Sequence, residues 1–140
     1  MSSDDKFLIA KNIAKGIASL QAEHKPPAHS HLSSKNIMLN PSDHEIYITD
    51  YNLKSLKKFC KIFHKYRNVN AWSAPEVWEA HPNSEVPCMR DFYDSAATDV
   101  YSYGILLWEL ESGKVPFAGM SDKEIKEKLC NDHVRPVSSI

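Results

Sequence analysis

One stretch limits what this 140-residue chain can fold into more than any other: Asp99-Val100-Tyr101-Ser102-Tyr103-Gly104-Ile105-Leu106-Leu107-Trp108-Glu109-Leu110. Val100, Tyr103, Leu107 and Leu110 fall on one face of a helix. Tyr101, Ile105 and Trp108 fill most of the opposite face, and a helix apolar nearly all round belongs inside a domain. Thr98 is placed to cap the first amides, and Asp99 puts a negative charge at the positive end of the dipole. Gly113 stands where a left-handed C-cap belongs, and Pro116 bars continuation. Glu109 and Glu111 oppose the dipole at the other end, by roughly tenths of a kcal/mol. The expectation is a central helix packed on all sides, Gly104 included.

The length suits one domain with a real core. A net charge of −1 argues against a nucleic-acid partner or a membrane coat. Asp4, Asp5, Lys6, Lys11 and Lys15 exclude a signal peptide at the start, and no apolar run reaches the ~18 residues of a membrane span. Cys60, Cys88 and Cys130 are far apart and form no C-x-x-C pair, the usage of a reducing compartment. These features predict a cytoplasmic protein with no direct membrane insertion.

Along the chain, Ile9, Ile13, Ile17 and Leu20 share one face of a helix over residues 7–20. Gly16 costs that helix ~1 kcal/mol and marks close packing against a neighbour. Residues 36–40 and 45–49 form a β-hairpin around the turn Pro41-Ser42-Asp43-His44. Residues 53–67 then bring Lys54, Lys57, Lys58, Lys61, Lys65 and Arg67, with no acid between Tyr51 and Pro75. Leu53, Leu56, Cys60 and Phe63 recur at helical spacing there, so this is a short basic amphipathic helix, either simply solvated or offered to phosphate or an acidic partner. Residues 81–94 are polar, broken by proline and read as a surface loop. Ser121-x-x-Glu124 is a capping box ahead of Ile125, Leu129 and Cys130.

Four landmarks stand in order: His29-x-x-Leu32 with Asn36, Ile48-Thr49-Asp50-Tyr51, Ala74-Pro75-Glu76, and Asp99-Val100-Tyr101-Ser102-Tyr103-Gly104. Together they resemble the C-terminal lobe of a protein kinase domain of the tyrosine-kinase-like branch. The resemblance implies a kinase-like fold, mainly α with a small β-hairpin and incomplete at both ends. The whole chain, 1–140, would run from the helix before the catalytic loop through the helix after the central one. It also implies that Asp99 holds the loop backbone near His29, that Glu76 is a structural acid, and that Asn36 and Asp50 are the two magnesium-ligand types. Asn36, Asp50 and Met38 would contact Mg-nucleotide only weakly, so no tightly held cofactor is expected.

Within that resemblance, several positions depart from the kinase pattern. His31 stands where the proton-accepting aspartate is usual, Ser33 where a basic residue steadies the γ-phosphate, and Ser30 where an arginine reads a phosphorylated loop. Asn52 replaces the glycine after Asp50-Tyr51, and Val69 replaces a supporting hydroxyl. His31 could take the proton itself, since imidazole titrates near neutrality. His29-x-His31 alone makes a poor metal site, and His29 reads better as a core histidine stacked near Tyr51. Tyr66, Ser55 and Ser73 lie where kinases are phosphorylated, although Ser30 removes the usual reader.

Removing a positioned base costs ~10²–10⁴ in rate. With the glycine-rich loop, its lysine and its glutamate also absent, the departures predict no enzyme but a degenerate, pseudokinase-like lobe. It would act as a scaffold or regulatory module in signalling, similar to integrin-linked kinase and the kinase-homology domains of receptor guanylyl cyclases. The alternative is part of an active ATP-dependent protein kinase whose upper lobe lies elsewhere. Either reading implies a partner: another protein, the remainder of the domain, or a second copy covering an apolar patch of Leu106, Trp108, Ile125 and Leu129. Glu76 would face water or borrow a cation, for instance from the basic segment.

Overall fold

The computed structural model describes residues 1–23, 28–51, 69–79 and 95–136. Helix α1 runs Ser3–Glu23, longer at both ends than the periodic stretch 7–20, because Asp4 and Asp5 in its first turn suit the dipole. A 3-10 turn, Ser34–Asn36, leads into strand β1, Ile37–Leu39. Strand β2, Ile46–Ile48, pairs antiparallel to it in the register Ile37–Ile48, Met38–Tyr47, Leu39–Ile46. Met38 and Tyr47 are exposed, while Ile37, Ile46 and Ile48 pack on the core. The turn between the strands is tied by Asn40, whose Oδ1 accepts from Ser42 N, and by Asp43, whose Oδ1 accepts from Glu45 N.

Short helix α2, Pro75–Glu79, starts on a proline, whose fixed φ and missing N–H fit a first turn. Helix α3 is Ala96–Ser112 and ends at Gly113, φ 65°, as its sequence predicts. Helix α4, Asp122–Lys126, opens on the Ser121–Glu124 capping box and widens into a π-helical turn, Glu127–Asn131. Two clusters form the core. Ile9, Ile13, Ile17, Leu32, Trp72, Ile105 and Leu106 join α1, the loop, the hairpin and α3. Trp78, Ile125 and Leu129 join α2 to α4.

Helix α3 differs from its sequence expectation. Its inward stripe is Thr98, Asp99, Ser102, Ile105 and Leu106, whereas Val100 is 61% exposed and Leu107 and Gly104 also face outward. A Cβ built on Gly104 meets nothing within 4 Å, so the helix is not packed all round. The reason lies in the polar loops on its inner side, which select Asp99 and Ser102 over aliphatic neighbours. The cap is Ser95, not Thr98; Thr98 sits one turn in and donates to the Ser95 carbonyl at 2.8 Å. Leu106, Ile125 and Leu129, expected on an exposed patch, are buried because α1, the hairpin and α2 cover them, and Trp108 is half-buried.

Polar bonds fasten α3 to α1. Tyr103 donates its hydroxyl to the Ala10 carbonyl at 3.0 Å. Lys6 Nζ donates to the Glu111 carbonyl at 2.9 Å and approaches its carboxylate at 3.3 Å, placing a cation at the negative end of α3. Among the described residues no helix is long and apolar enough to cross a membrane. Cys130 carries a free thiol; Cys60, Cys88, the basic segment 53–67 and the loop 81–94 lie outside the described residues.

The two helical glycines predict opposite responses. A Cβ on Gly16 comes within 2.9 Å of Ile48 Cδ1, so Gly16→Leu overpacks the α1–β2 contact and costs about 1–3 kcal/mol in a denaturant titration. Gly104→Ala fills open space and raises stability by about 0.5–1 kcal/mol through helix propensity.

Candidate functional site

Residues 28–36 form an irregular loop whose shape is imposed from outside. Asp99, 1% exposed on α3, accepts from His29 N at 2.7 Å and from Ser30 N at 2.8 Å, one amide per carboxylate oxygen. Two N–H groups can point the same way because Ser30 is left-handed, φ 66°, a conformation costly for a residue with a Cβ. The Ser30 hydroxyl is buried and finds no hydrogen-bond partner among the described residues.

His29 is buried, with both ring nitrogens engaged. Nε2 donates to the Thr49 carbonyl at 2.7 Å, and Nδ1 accepts from His31 N at 3.3 Å. That pair of bonds requires the tautomer protonated on Nε2. Its ring centroid lies 6.1 Å from that of Tyr51, tilted by 53°, so the core-histidine reading holds. Burial, and then the Asp99 carboxylate, push the Tyr51 phenol up.

His31 is half-buried with its backbone pinned on both sides: the N–H on His29, the carbonyl by Asn36 Nδ2 at 2.9 Å. The Asn36 carbonyl accepts from Thr49 N at 2.9 Å, which sets Asn36 opposite the end of β2. Asp50 follows, exposed and left-handed at φ 61°. Thus Asn36 and Asp50 flank one end of the hairpin, and Met38 stands exposed on it. Ser33 is buried, so its hydroxyl does not take over the work of a long basic side chain. Among the described residues no group of three or more His, Cys, Asp or Glu is arranged to hold a metal. One carboxylate and one amide oxygen instead suit Mg²⁺, which keeps waters and takes phosphate oxygens as its remaining ligands.

The segment ahead of α2 is held by polar bonds of its own. Asn70 Oδ1 accepts from Trp72 N at 3.0 Å, and the Ser73 hydroxyl accepts from Asn70 N at 3.0 Å and donates to Asn70 Oδ1 at 3.2 Å. Buried and bonded in this way, Ser73 is no accessible phosphate acceptor; Tyr66, Ser55 and Asn52 lie outside the described residues. Burial pushes the Tyr101 phenol up, while Arg135, 5.5 Å over its ring, and Glu76 act on it in opposite senses.

Two features escaped the sequence. The left-handed backbone at Ser30 has no signal in a residue that rarely adopts it. Glu109 carries a bridge: Oε1 accepts from Ser34 Oγ at 3.0 Å and Oε2 from Trp72 Nε1 at 2.9 Å. A groove of about 370 Å³ lies between α1, the hairpin and the end of α3, lined by Ile9, Ile13, Ile37, Leu106 and Val115 among others. Ser34 and Glu109 line it at the late end of the loop, whereas none of His29, His31, Asn36 or Asp50 does.

The family described as protein tyrosine and serine/threonine kinase matches residues 1–139. The Mus musculus protein named serine/threonine-protein kinase TNNI3K is 33% identical over 135 residues, covering 94% of this chain and 15% of that protein. Dual specificity protein kinase shkC of Dictyostelium discoideum is 29% identical over 132 residues, 94% of this chain and 24% of its own. Serine/threonine/tyrosine-protein kinase HT1 of Arabidopsis thaliana is 26% identical over 136 residues, 97% of this chain and 31% of its own. The chain thus spans less than a third of the curated relatives it matches here, and the similarity is to tyrosine-kinase-like enzymes.

These relatives overturn the expectation of a non-enzyme. They are named as protein kinases, and they align with nearly the whole chain across its departures at Ser30, His31 and Ser33. The loop geometry is kept by Asp99 and Asn36, and the residue replacing the aspartate is itself a proton acceptor. The finer placement beside integrin-linked kinase and the cyclase domains is not carried by these relatives.

Asp99→Ala leaves the His29 and Ser30 amides without acceptors and should cost about 2–5 kcal/mol in chemical denaturation. Asp99→Asn keeps one acceptor oxygen and should cost about 1–2 kcal/mol. Equal, negligible losses would remove the carboxylate from its organising place.

Proposed function

The chain belongs to the protein tyrosine and serine/threonine kinase family, and from that premise we propose that it forms the C-terminal, substrate-side lobe of an ATP-dependent protein kinase. The observation that carries this reading is the Asp99-held loop, which brings His31 and Asn36 to the end of the hairpin where Asp50 stands.

Phosphoryl transfer asks for positioning and charge stabilisation more than for covalent chemistry. Asn36 Oδ1 and the Asp50 carboxylate would hold Mg²⁺, since Asn36 spends only its nitrogen on the His31 carbonyl. The bound metal–nucleotide supplies the phosphoryl group and neutralises its oxygens. His31 accepts the proton of a peptide hydroxyl, a role open to the neutral imidazole alone. Its pinned backbone fixes where that imidazole starts from. The left-handed Asp50, at the edge of the hairpin, presents its carboxylate clear of the strand pairing.

Joined to the remainder of its kinase domain and given Mg-ATP and a serine/threonine/tyrosine peptide mixture, the chain should transfer γ-phosphate. His31→Ala should lower the rate by about 10²–10⁴. Asn36→Ala with Asp50→Ala should abolish both transfer and Mg²⁺-dependent stabilisation by ATP in a thermal melt. No Mg²⁺-dependent nucleotide effect on the wild type, or transfer undiminished in the double variant, would overturn the reading.

A further inference from the structure

Glu109 is badly placed for its own helix. It lies in the last turn of α3, where a carboxylate meets the negative end of the dipole. Its tertiary surroundings offset that cost. Each oxygen accepts one hydrogen bond from a different segment, Ser34 Oγ at 3.0 Å and Trp72 Nε1 at 2.9 Å, 75 and 37 residues away in sequence. Such charge-assisted bonds are shorter and stronger than neutral ones. Nor is the bridge a general means of satisfying buried indoles: among the described residues, Nε1 of Trp78 and of Trp108 is buried with no partner.

The rest of α3 gives the bridge its meaning. Asp99 holds the early part of the loop at His29 and Ser30, and Glu109 holds its late part at Ser34. Ser102 Oγ donates to the Trp72 carbonyl at 2.8 Å, and Glu109 holds the ring of the same tryptophan. One helix therefore grips both segments at two points each, and Glu109 is the point they share.

We infer that Glu109 is a positioning residue that locks the Ser34–Asn36 turn to the Trp72 segment, so that Asn36 and the segment ahead of α2 keep one relative placement. The catalytic consequence rests on the kinase reading above; the coupling itself does not. A carboxylate accepts from both donors at once, whereas a methyl group releases both. Glutamine restores both bonds without charge, its oxygen accepting from Trp72 and its amide donating to the Ser34 hydroxyl.

The test is NMR hydrogen exchange on the full chain, followed by phosphotransfer kinetics with the chain joined to the remainder of its kinase domain. Glu109→Ala should speed exchange of the Trp72 indole N–H and of the Asn36 amide by about tenfold or more, while the His29 and Ser30 amides, held by Asp99, keep their protection. Ser34→Ala, an exposed and mild change, should also speed exchange of the Trp72 indole, although it removes no atom bonded to it. Glu109→Gln should return both signals to within about threefold of wild type. In kinetics, Glu109→Ala should lower kcat and leave nucleotide affinity unchanged. A Trp72 indole indifferent to Ser34→Ala, or loss of protection at His29 and Ser30 equal to that at Asn36, would overturn the coupling. Coupling seen without a fall in kcat would overturn the positioning role, and a wild type without phosphotransfer would fail the kinase reading alone.

Discussion

The carboxylate of Asp99, buried on α3 and bonded to two consecutive backbone amides, is the interaction on which the candidate site depends. A buried charge without donors is costly, and a loop with left-handed backbone at Ser30 has no strand or helix to satisfy its N–H groups. Each requirement answers the other. Once His29 is set, its ring passes the constraint onward, donating to the Thr49 carbonyl at the end of β2 and accepting from His31 N. Asn36 closes the circuit through the His31 carbonyl and Thr49 N. Loop and hairpin end are thereby held to one helix by this chain of polar bonds.

Such an arrangement explains the unusual face of α3. Its first two turns place Thr98, Asp99 and Ser102 inward and Val100 outward; Ile105 and Leu106, with Leu110 beside them, supply aliphatic packing below. Polar groups in a core lower stability unless every partner is present, and they specify one arrangement when it is. Helix α3 uses them at loops whose backbones cannot satisfy themselves. Aliphatic packing takes over where α1 and the hairpin provide matching surface.

The same geometry changes how the departures from the kinase pattern are weighed. A catalytic loop needs a defined backbone, a base within reach of the acceptor and ligands for the metal. The first is present in full. For the others the chain offers an imidazole at His31, an amide at Asn36 and a carboxylate at Asp50, groups of the right chemical kinds. The family model that matches residues 1–139 sets the family, and the named kinases align with 94–97% of this chain.

Much was legible in the residues alone, and it was local. The α1 stripe of Ile9, Ile13 and Ile17, the close approach at Gly16, the hairpin, the Gly113 cap and the Ser121–Glu124 box all follow from spacing, φ preference or short-range hydrogen bonding. The pairing of Asp99 with the His29 loop was implied by the resemblance to kinases. The inward face of α3, the Ser95 cap, the burial of Leu106, Ile125 and Leu129, and the Glu109 bridge were decided only in three dimensions. An apolar period reports which residues avoid water, but it does not report where distant loops leave amides, hydroxyls and indoles in need of acceptors. On α3 that need outranked hydropathy, turning aspartate, serine and glutamate inward and leaving valine in solvent.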